Sequence, residues 1–160
     1  MYVIDPATKL DAARHWALPD RVFFACGACQ VLAHAAVRAY EPAGFRAVWI
    51  APATGFRGNH IVATDGAWAF DYHGWSKLDG LLAHMRRKAS RWWPGWSCEL
   101  RPFETAALIS ELRSKALGLH LREPGQFLHD ATPRAEAFLA ARPPPAALPF
   151  RHGAGVDVVS

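Results

Sequence analysis

Cysteine is scarce in this chain of 160 residues, which contains only Cys26, Cys29 and Cys98. A small, odd number of cysteines does not build the disulfide framework that small secreted domains use to supplement a limited core. Long apolar runs are also missing, and none reaches the roughly 18–20 residues of a membrane-spanning helix. The first residues lack a basic flank followed by an apolar stretch, so the sequence predicts no secretory signal and a cytoplasmic location.

Charge of one sign is not concentrated enough to define a function. The net charge is +4, from 18 lysines and arginines against 14 aspartates and glutamates. Much of the surplus lies in Arg86-Arg87-Lys88 and Arg91, which is typical of a solvated helix face and does not predict nucleic-acid binding. The 51% hydrophobic content excludes intrinsic disorder, and the length fits a single domain.

The order of the predicted elements is helix, helix, antiparallel strands and further helices, which is typical of an α+β fold. Capping residues and helical periodicity predict helices over residues 5–18, 30–38, 76–88, 104–117 and 133–141. Apolar runs bounded by Pro and Gly predict strands over residues 47–51, 60–64, 67–72 and 97–101. We expect one domain over residues 1–142, followed by a Pro/Gly-rich tail over residues 143–160.

A predicted hairpin brings one polar pair together. Asp65-Gly66 between two strand-like runs favours a two-residue type I′ turn. With that turn His60 lies directly opposite Asp71, at a Cβ separation of roughly 4.5–5.5 Å. A carboxylate at this distance fixes the tautomer of the imidazole and leaves its other nitrogen available as a base.

Cys29 is the candidate nucleophile. It follows a glycine-containing turn and stands in the first turn of an Ala-rich helix. Unpaired amides and the helix dipole favour the thiolate at such a position, and the amide of Cys29 can point at an oxyanion. A thiolate, a histidine and an aspartate together form an activated nucleophile.

These residues resemble the motifs of a known superfamily. Gly27-Ala28-Cys29-Gln30-Val31-Leu32-Ala33 resembles the G-x-C-x-x-x-A start of the nucleophile helix in transglutaminase-like and papain-like thiol enzymes. His60-Ile61-Val62 and Trp68-Ala69-Phe70-Asp71 resemble their histidine and aspartate strands, in the same chain order. The resemblance covers roughly Arg21 to Trp75. It departs in the short spacing between cysteine and histidine and in lacking the glutamine that precedes the nucleophile in papains.

The resemblance implies a papain-like or transglutaminase-like α+β fold, with the nucleophile helix packed on a small antiparallel sheet and flanked by C-terminal helices. It implies that Cys29 is the nucleophile, His60 the base and Asp71 the residue that orients His60. The implied activity is hydrolysis or acyl transfer at an amide or acyl carbonyl of a protein, peptide or other amide substrate, without a cofactor or metal. The candidate substrate contacts are Gln30, Asn59, His73 and Trp75.

Three alternatives remain open, and the first two depend on the Cys26–Cys29 spacing. A C-x-x-C motif between the strand-like run Val22–Ala25 and a helix is also the thioredoxin arrangement, which predicts a thiol-disulfide oxidoreductase. A structural zinc site is a weaker alternative, with both cysteines and two of three histidines as ligands, namely His34, His60 and His73. A catalytically inactive papain-like binding module is the third. The sequence makes no prediction of the oligomeric state.

Overall fold

The computed structural model of the chain describes residues 2–146 and 148, which form seven α-helices and five β-strands. The helices are α1 (Pro6–Leu10), α2 (Ala12–Trp16), α3 (Asp20–Ala25), α4 (Cys29–Tyr40), α5 (Leu78–Ala89), α6 (Glu111–Ala116) and α7 (Thr132–Ala140). The strands are β1 (Arg46–Pro52), β2 (His60–Thr64), β3 (Trp68–Asp71), β4 (Gly74–Lys77) and β5 (Cys98–Pro102). The predicted α+β class with a small antiparallel sheet is confirmed.

The five strands form one antiparallel sheet in the order β4-β3-β2-β1-β5. The middle strand, β2, is buried along its whole length because helices cover both faces of the sheet. Ile61 and Ala63 point into the core that contains α4 and α7, whereas Val62 points into the core that contains α5. This alternation is the period of two expected for a strand.

The helix α4 begins at Cys29 and ends at Tyr40, close to the predicted bounds. Gly27 precedes it with φ of +140°, a backbone conformation that residues with L side chains rarely adopt. This turn between α3 and α4 sets the direction in which α4 enters the core. Cys29 therefore starts a helix whose residues are largely buried against β2 and α7.

Two predicted helices are interrupted in the structure. The helix expected over residues 5–18 divides at Asp11, which is extended and accepts a hydrogen bond from Arg14 N at 2.9 Å as the N-cap of α2. The helix expected over residues 104–117 divides at Ser110, which caps α6 through Arg113 N. In both cases a short polar side chain competes for backbone amides and starts a new helix inside a helical pattern.

Two other local predictions are wrong. Ser76 is not the N-cap of a helix, because it pairs with Ala69 within β4, and α5 begins two residues later at Leu78. The apolar run Val22–Ala25 belongs to α3 and is not a strand. Helical burial of Phe23 and Phe24 satisfies the apolar pattern as well as a strand would, so a four-residue run does not distinguish the two.

The hairpin of β2 and β3 turns one residue later than predicted. Thr64 pairs with Ala69, so Gly66-Ala67 forms the tip. A type I′ turn at Asp65-Gly66 would need a positive φ at Asp65, and no residue other than glycine has one within the described part of the chain. The Asp65 carboxylate instead accepts hydrogen bonds from the two amides that follow the tip glycine, at 2.8 and 2.7 Å.

The predicted pairing of His60 directly opposite Asp71 is therefore wrong in register. Moving the tip by one residue moves every cross-strand partner by two residues. Residues two apart on a strand share a face, so His60 and Asp71 stay on the same side of the hairpin. They lie diagonally and not directly opposite, and this spacing is still within reach of an imidazole.

The predicted tail over residues 143–160 lies mostly outside the described residues. Of its residues, 143–146 and Leu148 are described. Leu148 is 5% exposed and packs into the same core as α4. The packed domain therefore extends beyond residue 142. Across residues 2–146 and 148, no helix combines the length and apolar character required to span a membrane.

Thr64 fixes the register of this hairpin, and replacing it tests that role. Its Oγ1 donates to Trp68 O at 2.5 Å and accepts from Gly66 N at 3.0 Å, and the residue is 1% exposed. Thr64→Val keeps the shape and removes both bonds, so we expect the free energy of unfolding in urea to fall by about 1–3 kcal/mol. Thr54→Val, in an exposed loop, is the control and should change it by less than about 0.5 kcal/mol. Equal effects of the two variants would contradict this role.

Candidate active site

The carboxylate of Asp71 is the centre of a buried hydrogen-bond network. Asp71 ends β3 and is 2% exposed. Its Oδ2 lies 3.0 Å from His60 Nε2 and 3.1 Å from His73 Nδ1, and its Oδ1 accepts from the backbone N–H of His73 at 2.8 Å. The predicted contact between His60 and Asp71 is thus present, and His73 is a second partner of the same carboxylate.

The turn between β3 and β4 explains why His73 joins this network. Asp71 pairs with Gly74, so Tyr72 and His73 form the tip, and Gly74 takes φ of +92°. The bond from His73 N to the Asp71 carboxylate is an Asx-turn, in which an aspartate side chain accepts from the amide two residues on. The same carboxylate therefore closes the turn and holds His60.

His60 lies between Asp71 and Cys29. Its Nε2 is used by Asp71, and its ring interacts with the Cys29 thiol, which donates to Gln30 Oε1 at 3.9 Å. Since Nε2 is occupied, Nδ1 is the nitrogen available to Cys29. The Tyr72 ring packs against the His60 ring in an edge-on arrangement, with centroids 5.2 Å apart, and limits how far the imidazole can turn.

The electrostatics of the pair favour a charged histidine. Burial by itself lowers the pKa of a histidine, but the hydrogen bonds with Asp71 and Cys29 and the negative charges of both groups raise the pKa of His60 to about 9. For Asp71, burial raises the pKa of the carboxyl, but the bonds from His60 and His73 outweigh it and hold the pKa well below its ordinary value. Asp71 is therefore ionised at neutral pH.

The thiol of Cys29 is shifted in the complementary direction. Burial raises the pKa of this thiol, but the hydrogen bond and charge of His60 and the backbone N–H groups of Ile61 and Gln30 lower it more, so the net pKa is below the ordinary value. A lowered thiol pKa beside a raised imidazole pKa is the condition for a thiolate–imidazolium pair.

Two cavities meet at His60. The larger, about 550 Å³, is lined in part by Cys29, Gln30 and Asn59 and extends towards α1 and the loop around Arg122. The smaller, about 200 Å³, lies on the α5 side and is lined in part by Met85 and Trp93. A substrate bound across both would pass beside the imidazole, with the thiol of Cys29 facing the larger cavity.

Gln30 and Asn59 both border the larger cavity, but Gln30 is buried and Asn59 is exposed. The amide nitrogen of Gln30 donates to Arg122 O at 2.9 Å and to Gly27 O at 3.4 Å, and the side chain is 1% exposed. Gln30 therefore holds the cavity wall in place. Asn59 is exposed, and its Oδ1 accepts from Trp49 Nε1 at 2.9 Å, which leaves its amide N–H groups directed to solvent or substrate.

The other two predicted substrate contacts lie outside both cavities. Trp75 donates from Nε1 to Arg142 O at 2.9 Å and packs its ring among Tyr40, Phe45 and Phe70. This placement corrects the expectation of a substrate contact, because the indole is part of the core. His73 also borders neither cavity and acts on the site through Asp71.

Cys26 lines the same cavity as Cys29, but the pKa of its thiol is shifted in the opposite direction. Both thiols are free, but burial raises the pKa of Cys26, and its sulfur lies 3.7 Å from Tyr2 O. The element before it is the helix α3, so the strand–C-x-x-C–helix arrangement of thioredoxins is not formed. In the described part of the chain, no three His, Cys, Asp or Glu side chains are placed to hold a metal ion.

Several residues that border the site carry no local sequence signal. Lys9, His15 and Arg122 line the larger cavity, although 14 residues separate His15 from Cys29 and 93 separate Arg122 from it. Only the tertiary fold brings such distant positions together. The second role of His73 was readable in principle, since Asp-x-x-Gly is a turn signal that predicts an aspartate bonded to the following amides.

Comparisons of this chain with protein-family models, with curated proteins and with solved structures find no significant match.

The raised pKa of His60 gives a direct test of the network. Asp71→Asn removes the negative charge and keeps the size of the side chain. We therefore expect the pKa of His60 to fall by about 1–3 units from about 9, as measured by NMR of the isotopically labelled His60 ring. Asp79→Asn, at the exposed start of α5, is the matched control and should leave this titration unchanged. An unchanged pKa in Asp71→Asn would show that Asp71 does not act on His60.

Proposed function

We propose that this protein is a thiol-dependent hydrolase or acyltransferase that acts on an amide or acyl carbonyl through Cys29, His60 and Asp71. The observation that carries the proposal is that His60, whose Nε2 lies 3.0 Å from the Asp71 carboxylate, lines the same cavity as the half-buried Cys29. Each neighbour shifts the next group towards the charge state that a nucleophilic thiol requires.

The reaction follows from this arrangement. The Cys29 thiolate attacks the substrate carbonyl, and a carbon–sulfur bond forms while the carbonyl π electrons move onto oxygen. As the tetrahedral intermediate collapses, the carbon–nitrogen bond breaks and the His60 imidazolium gives its proton to the departing amine, which leaves a thioester and a neutral imidazole. Water or an amine then attacks the thioester, His60 takes the proton of that nucleophile, and the thiolate departs as the acid or transferred amide is released.

Two donors are available for the oxyanion. Cys29 starts α4, so its backbone N–H belongs to the first turn and has no acceptor within the helix. The amide of Asn59 is the second, since the bond from Trp49 fixes its oxygen and orients its N–H groups. Asn59 precedes His60 directly, and both line the larger cavity together with Cys29.

A papain-like or transglutaminase-like architecture is part of the proposal. It is supported by a helix that starts at the candidate nucleophile and packs on the middle strand of an antiparallel sheet, with His60 and Asp71 on adjacent strands in that chain order. By resemblance to those enzymes, glutamine-type side-chain amides and isopeptides are the first substrates to test, with peptides as the second class.

An acyl-enzyme experiment tests the proposal. With p-nitrophenyl acetate we expect one equivalent of p-nitrophenolate to be released rapidly and one acetyl group to be found on the peptide that contains Cys29, because thiolate attack expels the phenolate and forms a thioester. Cys29→Ala should abolish the burst, whereas Cys26→Ala should retain it.

Other outcomes separate the alternatives. Acetylation of Cys26 in preference to Cys29, or ready formation of a Cys26–Cys29 disulfide with a defined potential, would favour an oxidoreductase. A folded protein that forms no acyl-enzyme with this ester or with glutamine peptides would favour an inactive binding module.

The pH dependence of alkylation reports the state of the pair. We expect the rate of Cys29 labelling by iodoacetamide to reach its plateau below the ordinary thiol pKa of roughly 8.5, because His60 lowers the pKa of Cys29. In His60→Ala the rate at pH 7 should fall by at least about tenfold, since little of the thiol is then ionised. His129→Ala, which changes an exposed histidine, is the control. A labelling rate in His60→Ala equal to that of the unchanged protein would contradict the pairing.

For an amide substrate, the plot of kcat/KM against pH should also fall on its basic side. Thiolate attack requires Cys29 to be deprotonated, and departure of the amine requires His60 to be protonated. Because the pKa of His60 is about 9, we expect the rate to fall as the pH rises through this value while alkylation stays on its plateau. The measurement is kcat/KM against pH beside the alkylation rate, and coincident profiles would contradict a proton-donating role.

A further inference from the structure

The larger cavity beside Cys29 is cationic. Lys9 and Arg122 both line it, and none of its described lining residues is an aspartate or a glutamate. Arg122 reaches the segment that carries Lys9, because its Nη2 donates to the backbone oxygen of Lys9 at 3.4 Å. Neither forms an ion pair with a carboxylate in the described part of the chain, although several other cations do.

His15 supplies a buried polar atom that has no partner in this cavity. The residue is 1% exposed, and its Nε2 has no hydrogen-bond partner among the described residues. Its ring is held between Phe23 and Phe127, at centroid distances of 5.1 and 5.9 Å, so it cannot turn away easily. An unpaired polar atom in such a place costs stability, and a bound ligand would satisfy it.

Gly27 keeps the space between these groups open. A Cβ at this position would lie 3.3 Å from Lys9 Cε and 3.8 Å from His15 Nε2. The space without that Cβ therefore lies between a lysine side chain and the unpaired imidazole nitrogen. Gly27 is two residues before Cys29, and both residues line this cavity.

We propose that this part of the cavity binds a substrate carboxylate, so that the substrate carries an acidic group close to the carbonyl that Cys29 attacks. This inference rests on the proposed function for the position of the reacting carbonyl. Lys9 and Arg122 supply the positive charge, and His15 Nε2 supplies a hydrogen bond once the carboxylate is present. The carboxylate belongs to an acidic side chain or to a chain terminus, since both offer the same chemistry.

The state of His15 without ligand agrees with this assignment. Burial lowers the pKa of His15, and the charges of Arg122, Lys9 and Arg134 lower it further, while a hydrogen bond to the backbone of Cys26 opposes them. The charged groups that act on the ring are thus all cations. A carboxylate would supply the missing negative charge. The protonated form of His15 would then be favoured, and its Nε2–H would donate a hydrogen bond to the carboxylate.

A matched pair of alkylating reagents tests the inference. Iodoacetate and iodoacetamide react alike, with a carbon–sulfur bond formed as iodide departs, but only iodoacetate carries a carboxylate. The measured quantity is the second-order rate constant for alkylation of Cys29 by iodoacetate divided by that for iodoacetamide. We expect Lys9→Met and Arg122→Met each to lower this ratio by about fivefold, which corresponds to about 1 kcal/mol, and Arg122→Lys to retain it. Arg91→Met removes an exposed cation remote from the cavity and should not change the ratio.

Two isomeric ligands identify the source of the carboxylate. N-acetylglutamate α-amide carries it on the side chain, and N-acetylglutamine carries it at the chain terminus. We expect one of them to bind the Cys29→Ala variant more tightly, to shift the His15 ring signal in NMR spectra and to raise the pKa of His15. His15→Phe keeps the aromatic packing and should weaken the binding of that ligand.

The inference and the proposed function fail in different ways. Equal iodoacetate-to-iodoacetamide ratios in Lys9→Met, Arg122→Met and Arg91→Met, with neither ligand bound by Cys29→Ala, would overturn the carboxylate site. Rapid His60-dependent labelling by iodoacetamide would still support the proposed function in that case. Conversely, an unreactive Cys29 would refute the proposed function, and binding of either ligand to Cys29→Ala would still establish the site.

Discussion

The buried carboxylate of Asp71 is the interaction on which the rest of this site depends. A negative charge with 2% exposure is stable only when donors and counter-charges surround it, and here two histidines and a backbone amide do so. Asp71 and His60 therefore stabilise each other's charged forms. Asp71 is ionised because His60 and His73 face it, and His60 is cationic because Asp71 and Cys29 face it. The lowered pKa of the Cys29 thiol therefore depends on Asp71 as well as on His60.

The sheet brings these groups together from both of its sides. Cys29 belongs to α4, which packs on one face, whereas Asp71 points to the face that α5 covers. His60 is the first residue of the middle strand, at the end of the sheet, and so borders a cavity on each side. A strand interior could not serve in this way, because its side chains face one core or the other. The position at the strand end allows one imidazole to contact groups from both layers.

The sequence was sufficient for the parts of this arrangement that depend on short spacing. The helix start at Cys29 and the shared face of His60 and Asp71 follow from local signals. The two residues share a face in either register, because moving the hairpin turn by one residue shifts each cross-strand partner by two. Helix bounds failed where Asp11 or Ser110 offered an internal cap, a competition that periodicity does not show. The cationic cavity was beyond reach, since it joins segments that only tertiary packing brings together.

The double use of Asp71 has a consequence for how such a protein changes over evolutionary time. Its carboxylate also closes the turn before Gly74, so selection for a folded chain preserves it even where selection for chemistry has ceased. Cys29 closes no turn and caps no helix, so it is free to drift once it is no longer needed as a nucleophile. In a set of divergent descendants, the aspartate would mark shared ancestry of the fold. Under the proposed function, the presence of the cysteine beside its histidine would mark the members that keep the activity.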